Sequence, residues 1–356
     1  MPVPVVLRGV AAATGVLGIV KNIQAAVQNK SAKSIVEEAQ EIYEAAKGRL
    51  EKQREITSAD LDDYGRIKLK SYYEDIGGFI QYFKCFKKIN IEGDMQTGSV
   101  ADKRSIKMNI KEMSQVSVTA QEVVKGGIAT LGAGAVTGIA AYGGTMMFAS
   151  ASTGTAISAL SGVAAQNATL AWLGGGAKAA GGLGMAGGSA VLGGLVLGPV
   201  LAVQGIITAA KSKEKLAKAK ETYTEAQVAA EKMDTMTAVM GKVSETSKDY
   251  KSFIIAYSQK YQEVIENLRL IYERTYEEQA NQFWNKVKRL FGIKHRVDVT
   301  KISEEDQKYL HYSWLVTQVL YKTLVAPLMT ENGEFDEKAE QLLLEAREQK
   351  QNLIGD

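Results

Sequence analysis

The stretch 126–210 contains a single charged side chain, Lys178. The chain as a whole has 43 Lys+Arg and 40 Asp+Glu, and all of these except Lys178 lie outside the stretch. This division indicates that the stretch, here called the apolar segment, is built for a different solvent from its flanks, or for a dry interior. The sequence therefore predicts an N-terminal helical region, 1–125, a membrane-inserting apolar segment, and a C-terminal helical region, 211–356.

Most of the chain's 34 Gly lie in the apolar segment. Because glycine is a poor helix former in water, this abundance needs a physical reason. Close packing of helices in lipid is such a reason, since small residues four positions apart let two backbones touch. Six glycines form pairs at this spacing: Gly134 and Gly138, Gly184 and Gly188, and Gly194 and Gly198. We predict that these glycines pack the membrane-inserted helices.

The apolar segment divides into three apolar stretches, about 127–148, 156–173 and 184–209. Each is close to the roughly 20 residues with which a helix crosses the hydrocarbon core of a bilayer. They are rich in Gly, Ala, Ser and Thr, so insertion is only weakly favoured per residue. This composition favours one or two helical hairpins that are stored against a helical body and released later. A permanent core or a constitutive membrane anchor remains the alternative.

Residues suited to a membrane interface lie in and beside the apolar segment. Aromatic rings with a polar atom and lysines with long apolar stems are typical of this position, because they reach lipid headgroups from an apolar surface. The predicted interfacial anchors are Tyr142, Trp172, Lys125, Lys211, Lys213 and Lys215. For the lysines, an ordinary solvated helix face is the alternative.

The flanks have the apolar periodicity of amphipathic helices. One helix is predicted over 31–56, with Ile35, Ala39, Ile42, Tyr43, Ala46 and Leu50 on its apolar face. The residues 57–60 (TSAD) are typical of an N-cap, so a second helix is expected to begin there and run to about Lys88. A further helix is expected from about Ala101 into the apolar segment.

The C-terminal region predicts one very long helix over 211–290, or two helices joined near Gly241. Long helices of this kind pack as antiparallel bundles or coiled coils. Two more helices are expected, over 303–325, ended by Pro327, and over about 334–352. No period-2 alternation indicates a strand. The predicted fold is all-α, an elongated bundle of long amphipathic helices with a central Gly/Ala-rich apolar helical hairpin segment.

The sequence argues against catalysis, cofactors and nucleic-acid binding. A net charge of +3 is too balanced for a nucleic-acid-binding module. The lone Cys85 and the isolated His295 and His311 make no metal-ligand or catalytic pattern. The glycines of 182–187 match G-x-G-x-x-G, but neither a preceding strand nor a following acidic residue accompanies them. We therefore predict a protein that is not an enzyme and holds no metal or cofactor.

The run 152–194 (STGTAISALSGVAAQNATLAWLGGGAKAAGGLGMAGGSAVLGG) resembles the glycine-zipper regions of bacterial membrane-active proteins. Long amphipathic helices around a central apolar hairpin resemble α-helical pore-forming toxins of the haemolysin E type, and more loosely colicin and apolipoprotein L membrane domains. The resemblance implies a soluble form, helix rearrangement, hairpin insertion and oligomerisation. The apolar segment is longer than a single hairpin, which leaves the number of inserted helices open.

The predicted function is therefore pore formation or remodelling of a membrane, with the lipid bilayer and further copies of the chain as partners. A partner or immunity protein, as for a toxin or a defence effector that kills its own cell, is a further possibility. The expected location is soluble, in the cytoplasm or exported, and then membrane-associated. The apolar N-terminal run is interrupted by Arg8 and lacks a preceding basic region, which argues against a classical signal peptide.

Overall fold

The computed structural model describes the chain in seven ranges separated by internal gaps. The residues it describes are 32–89, 103–126, 136, 139–141, 214–280, 296–329 and 335–355. The helices are α1 (Ala32–Ser71), α2 (Gly77–Phe83), α3 (Lys103–Gly126), α4 (Glu214–Ala280), α5 (Glu304–Val325) and α6 (Lys338–Leu353). A π-helical turn (Tyr72–Ile76) connects α1 to α2, and a 3-10 turn (Val299–Lys301) precedes α5. The prediction of an all-α fold is confirmed.

Two very short strands, β1 (Phe86–Lys87) and β2 (Val297–Asp298), pair in parallel. Phe86 lies opposite Val297, and the ammonium of Lys88 lies 2.8 Å from a carboxylate oxygen of Asp298. The hydrogen bond from this lysine lowers the pKa of Asp298 to about 2. The sequence predicted no strand, because strands this short are unable to show an alternating pattern.

The chain divides into two compact units, each built from separate parts of the sequence. The described residues of the first unit are 32–57, in α1, and 214–242, in α4. Their shared core is rich in alanine, whose small side chain permits a close approach of two helices; it comprises Ile35, Ala39, Tyr43, Ala46, Leu50, Ala219, Tyr223, Ala226, Ala229, Ala230 and Met233. The apolar face predicted for 31–56 is therefore confirmed, with Ile42 packed at its margin.

In the first unit α1 and α4 run in the same direction. Arg49 binds Asp234 through both carboxylate oxygens, at 2.8 and 2.9 Å, and the hydroxyl of Thr57 donates to the carbonyl of Met240 at 3.0 Å. The sequence numbers rise together on both helices, which defines a parallel pair. The predicted helix start at 57–60 is wrong: α1 passes through these residues without a break, and Thr57 bonds to α4 instead of capping a helix.

The second unit contains the described residues 58–89, 103–126, 136, 139–141, 243–280, 296–329 and 335–355. Here too α1 and α4 are parallel, since Asp60 accepts from Ser244 and the Lys251 ammonium lies 2.9 Å from Asp63. The contacts between α4 and α5 pair rising residue numbers on α4 with falling numbers on α5, so these two helices are antiparallel. Of the two arrangements expected for long helices, an antiparallel bundle or a coiled coil, α4 and α5 have the antiparallel order, whereas α1 and α4 form a parallel pair.

Three tyrosines of α4 fix the neighbouring helices through their hydroxyl groups. Tyr250 donates to the Ala339 carbonyl at 2.6 Å and Tyr257 to the Val316 carbonyl at 2.8 Å. Tyr261 shares a hydrogen bond of 2.5 Å with a threonine of α5. Each ring is buried while its polar atom finds a partner, the condition under which a buried tyrosine stabilises a core.

Helix α4 continues for 67 residues through Gly241, where the sequence allowed a break. A Cβ atom at Gly241 would have no heavy atom within 4 Å beyond the neighbouring helix backbone. Gly241→Ala should therefore raise the free energy of unfolding by about 1 kcal/mol, because alanine is the better helix former. Urea denaturation measures the change. Gly78→Ala is the control: its Cβ would lie 3.1 Å from Cδ1 of Ile265, so that substitution should bring no comparable gain.

Candidate functional site: a buried clamp on the apolar segment

The first described residues of the apolar segment beyond the end of α3, 136 and 139–141, are helical and buried in the second unit. Val136, Ala140 and Ala141 have no exposed surface, and Ile139 is 4% exposed. Burial of these apolar side chains removes them from water and stabilises the position of the backbone that carries them. This short stretch, here called the docked turn, is therefore held by protein on several sides.

The turn that follows α5 binds the docked turn through its backbone. Helix α5 ends at Val325, just before Pro327, as predicted from the sequence. Beyond the proline, the N–H groups of Leu328 and Met329 donate to the Ala141 carbonyl at 2.7 and 3.0 Å. One buried carbonyl thus accepts two hydrogen bonds, which satisfies both of its lone pairs.

Helix α1 approaches the docked turn at Gly65. A Cβ atom built on Gly65 would overlap the carbonyl oxygen of Val136 and lie 2.8 Å from its Cγ1. Real Cβ atoms do not approach other heavy atoms so closely, so only glycine permits this contact between backbones. The glycine therefore serves packing, not a turn, since it stands within the continuous helix α1.

One turn further along α1, Lys68 reaches both neighbours of the site. Its ammonium nitrogen donates to the Ala140 carbonyl at 3.3 Å and to the Ala326 carbonyl at 3.1 Å. The same nitrogen lies 4.6 Å from the ring centroid of Tyr64, within the range of a cation–π contact. Lys68 thus joins α1, the docked turn and the turn after α5. We call Gly65 and Lys68 together the clamp.

The Lys68 side chain has no exposed surface, and it makes no ion pair with a carboxylate in the described part of the chain. Loss of solvent on burial disfavours the charged amine and lowers the pKa of Lys68 from 10.5 to about 7. The amine therefore changes its charge near neutral pH, where an exposed lysine stays fully charged.

A second buried ionisable group lies in the π-helical turn. Asp75 is 2% exposed and accepts three hydrogen bonds, from Ser71 at 2.6 Å, Ser258 at 2.5 Å and Gln262 at 2.6 Å. Burial raises the pKa of Asp75, while the three donors act in the opposite direction. Two of the donors belong to α4, so this carboxyl group fixes α4 against the turn between α1 and α2.

With this geometry in place, the chain can be compared with known proteins. No protein family, curated protein or solved structure matches it.

The structure places only part of the predicted membrane site. Lys125 is exposed in the last turn of α3, and Lys215 lies at the start of α4, although its side chain is outside the described residues. The other predicted residues lie wholly outside them: Gly134, Gly138, Gly184, Gly188, Gly194, Gly198, Tyr142, Trp172, Lys211 and Lys213. Their predicted roles in helix packing and at the interface stay predictions.

Across the ranges described above, no helix has both the length and the apolar character needed to cross a bilayer. The same ranges hold no group of three or more His, Cys, Asp or Glu side chains arranged to bind a metal ion. His311 lies on α5, where its Nε2 is buried and makes no hydrogen bond to the described residues.

Sequence reasoning missed the clamp, although the pattern of α1 contains a signal for it. The apolar face of α1 includes Leu61 and Tyr64 and continues in Tyr72 of the π-helical turn, and helical spacing places position 68 on that same face. A lysine there interrupts an otherwise apolar stripe and must be buried with it. The glycine at 65 adjoins this face, where its missing side chain allows another backbone to approach.

Proposed function

We propose that the protein is membrane-active: it begins in a soluble form, oligomerises on a bilayer, and inserts helices of the apolar segment to form a pore. The six paired glycines pack the inserted helices, and the aromatic and lysine anchors hold the segment at the interface. In this proposal the helical regions on both sides remain outside the hydrocarbon core. It is a membrane-permeabilising role of the toxin or defence-effector type, without a catalytic step.

The observation that carries the proposal is the segregation of charge. The apolar segment has one charged side chain, Lys178, in a chain with 43 Lys+Arg and 40 Asp+Glu. This is the composition expected of a segment that meets lipid. Burial of the docked turn supports the first state of the conversion, because an insertion segment must be covered by protein before it reaches a bilayer.

The same burial favours a second function, a non-lytic helical scaffold or secretion-associated protein. In that role the apolar segment is a permanent core or a constitutive membrane anchor. The hydrogen bonds from Leu328, Met329 and Lys68 to the docked turn are the observation in its favour. Cell fractionation separates the two functions, because a constitutive anchor stays with membranes at all times, whereas a convertible protein is first found in the soluble fraction.

Release of a trapped dye from vesicles of phosphatidylethanolamine and phosphatidylglycerol tests the proposed function directly. We expect the purified chain to release dye in proportion to its concentration and to form oligomers that chemical cross-linking detects on the vesicles. A chain that leaves vesicles intact at every pH and concentration, and whose apolar segment stays protected throughout, would contradict pore formation and favour a permanent core.

Substitution of four glycines tests the role of helix packing in lipid. Leucine at Gly134, Gly138, Gly194 and Gly198 together should abolish dye release, because bulky side chains separate helices that small residues allow to touch. Alanine at the same four positions is the matched control, since it keeps the surfaces small and should retain most of the release. Circular dichroism checks that both variants remain helical. Unchanged release by the leucine variant would contradict the packing argument.

A further inference from the structure

We propose that the clamp responds to pH through Lys68: it holds the docked turn when the Lys68 amine is neutral and releases it when the amine becomes charged. The inference deepens the proposed function, on which its membrane consequence rests, by assigning a trigger. The docking of residues 139–141 can be followed without any membrane, so the clamp can also be tested alone.

A neutral amine can satisfy both of its N–H donors in this geometry. A neutral Lys68 carries two N–H donors, and two carbonyls, of Ala140 and Ala326, lie within hydrogen-bond distance of its nitrogen. Both donors are then satisfied, and two segments of chain that are distant in sequence are tied to α1. Neither the docked turn nor the turn at 326–329 contributes an ionisable side chain to the site.

A charged amine in the same place lacks compensation. The third N–H of an ammonium faces the Tyr64 ring, which offers a weak electrostatic contact and no negative charge. A buried cation without a paired anion is strongly unfavourable, because it has lost its hydration. Release of the docked turn would let the ammonium reach water, so charging of the amine favours the released form.

The titratable groups on the surrounding elements do not supply the missing anion. They include Tyr64 on α1, Tyr72 in the π-helical turn, Tyr250 on α4, Tyr321 on α5, Glu112 on α3, and Asp336, which follows the turn at 326–329 and whose carboxylate accepts from the N–H of Lys338. Burial raises the pKa of each of the four tyrosines, so all four stay neutral at physiological pH. The Glu112 carboxylate accepts a hydrogen bond from the Tyr321 hydroxyl at 3.0 Å and is thus engaged with α5.

The size and sign of the effect follow from linkage between protonation and docking. The pKa of Lys68 is about 7 when docked, against 10.5 for a solvated lysine, so the released form binds more protons between these values. Docking is therefore strengthened as pH rises from about 7 and weakened as pH falls toward it. The docking equilibrium should fall about tenfold between pH 8 and pH 6, and change little below that.

Hydrogen exchange of peptides that cover 136–141 and 326–329, corrected for the intrinsic pH dependence of exchange, measures docking in the full chain. We expect the wild-type protection factors to fall about tenfold from pH 8 to pH 6. In Lys68→Met, which keeps the length of the side chain without a titrating group, they should not change with pH. Lys70→Met is the matched control on α1, because Lys70 is exposed and should leave the wild-type response intact.

If Lys68→Met does not fold, Lys68→Gln replaces it, since it keeps an N–H donor and carries no charge. Protection that is independent of pH in the wild type, or that falls equally in the Lys68 variant, would overturn the clamp. Dye release measured in parallel separates this from the proposed function. Dye release accompanied by protection that does not change with pH would sink the clamp alone, whereas pH-dependent protection without release at any pH would sink pore formation and leave the clamp standing.

Discussion

Gly65→Ala should lower the free energy of unfolding by about 3 kcal/mol, among the largest effects of any single methyl group added to the described helices. The added carbon would overlap a backbone carbonyl oxygen, that of Val136, and a backbone atom cannot rotate away as a flexible side chain can. Either α1 or the docked turn must move, and the contacts of Lys68 beyond Gly65 are weakened with it. Urea denaturation gives the change in stability, and hydrogen exchange of 139–141 gives its location.

Gly48→Ala is the matched control, in the same helix and with the same chemical change. A Cβ at Gly48 has no heavy atom within 4 Å beyond its own helix backbone, so alanine should stabilise there by up to about 1 kcal/mol. Opposite signs at the two positions are expected. If both substitutions stabilise the protein to the same degree, the close approach of α1 to the docked turn is contradicted.

The second large effect is expected at Asp75. Asp75→Ala removes the acceptor of three hydrogen bonds, and the buried hydroxyl of Ser71 then lacks the partner it has in the wild type. Hydrogen bonds to charged groups contribute about 1.5–3 kcal/mol each, and the loss is partly recovered where water reaches Gln262. We expect a fall in unfolding free energy of about 3 kcal/mol, measured by urea denaturation at neutral pH.

Asp63→Ala provides the comparison for an exposed acid on the neighbouring helix α1. Asp63 is 63% exposed and pairs with Lys251 at 2.9 Å, and ion pairs of this kind contribute less than about 1 kcal/mol. The two aspartates thus differ in burial and in the number of donors, and their alanine variants should differ about threefold or more in effect. Equal effects would show that Asp75 does not hold α4 in the way described.

The apolar faces of the flanking helices could be read from periodicity, because burial is the main constraint on those positions. Ile35, Ala39, Tyr43, Ala46 and Leu50 were predicted on one face, and all of them are buried. The same reasoning predicted the existence of α5 and α6 and the end of α5 before its proline. Where apolar side chains alone decide the packing, the sequence pattern is sufficient.

The predicted helix start at 57–60 is wrong because these residues, although suited to capping a helix, bond to the neighbouring helix α4. Thr57 bonds to the backbone of α4, and Asp60 accepts from Ser244 and lies 3.0 Å from the Lys248 ammonium. Short polar side chains can satisfy a helix end or a neighbouring helix, and a single sequence does not distinguish these uses. The α1–α4 contacts join residues that are 183 and 184 positions apart, which local patterns cannot reveal.

The candidate site could be predicted only in part from the sequence, for a related reason. The sequence places Lys68 on the apolar face of α1. It does not reveal the acceptors of this lysine, because they are backbone carbonyls, which every residue possesses. Gly65 likewise looks like any helical glycine until Val136 is placed against it. The membrane-facing role predicted for the paired glycines depends on lipid, and the dye-release experiment, not the sequence pattern, decides it.

The parallel alignment of α1 with α4 has a consequence for synthesis on the ribosome. Arg49 contacts Asp234 and Thr57 contacts the carbonyl of Met240, at sequence separations of 185 and 183. At about 5–20 residues per second, translation of that interval takes roughly 10 to 40 s. During this time the newly made α1 lacks its partner, and the nearly uncharged apolar segment emerges before the helix that follows it exists. A nascent chain with this order of elements is exposed to chaperones and to nearby membranes before its final contacts can form.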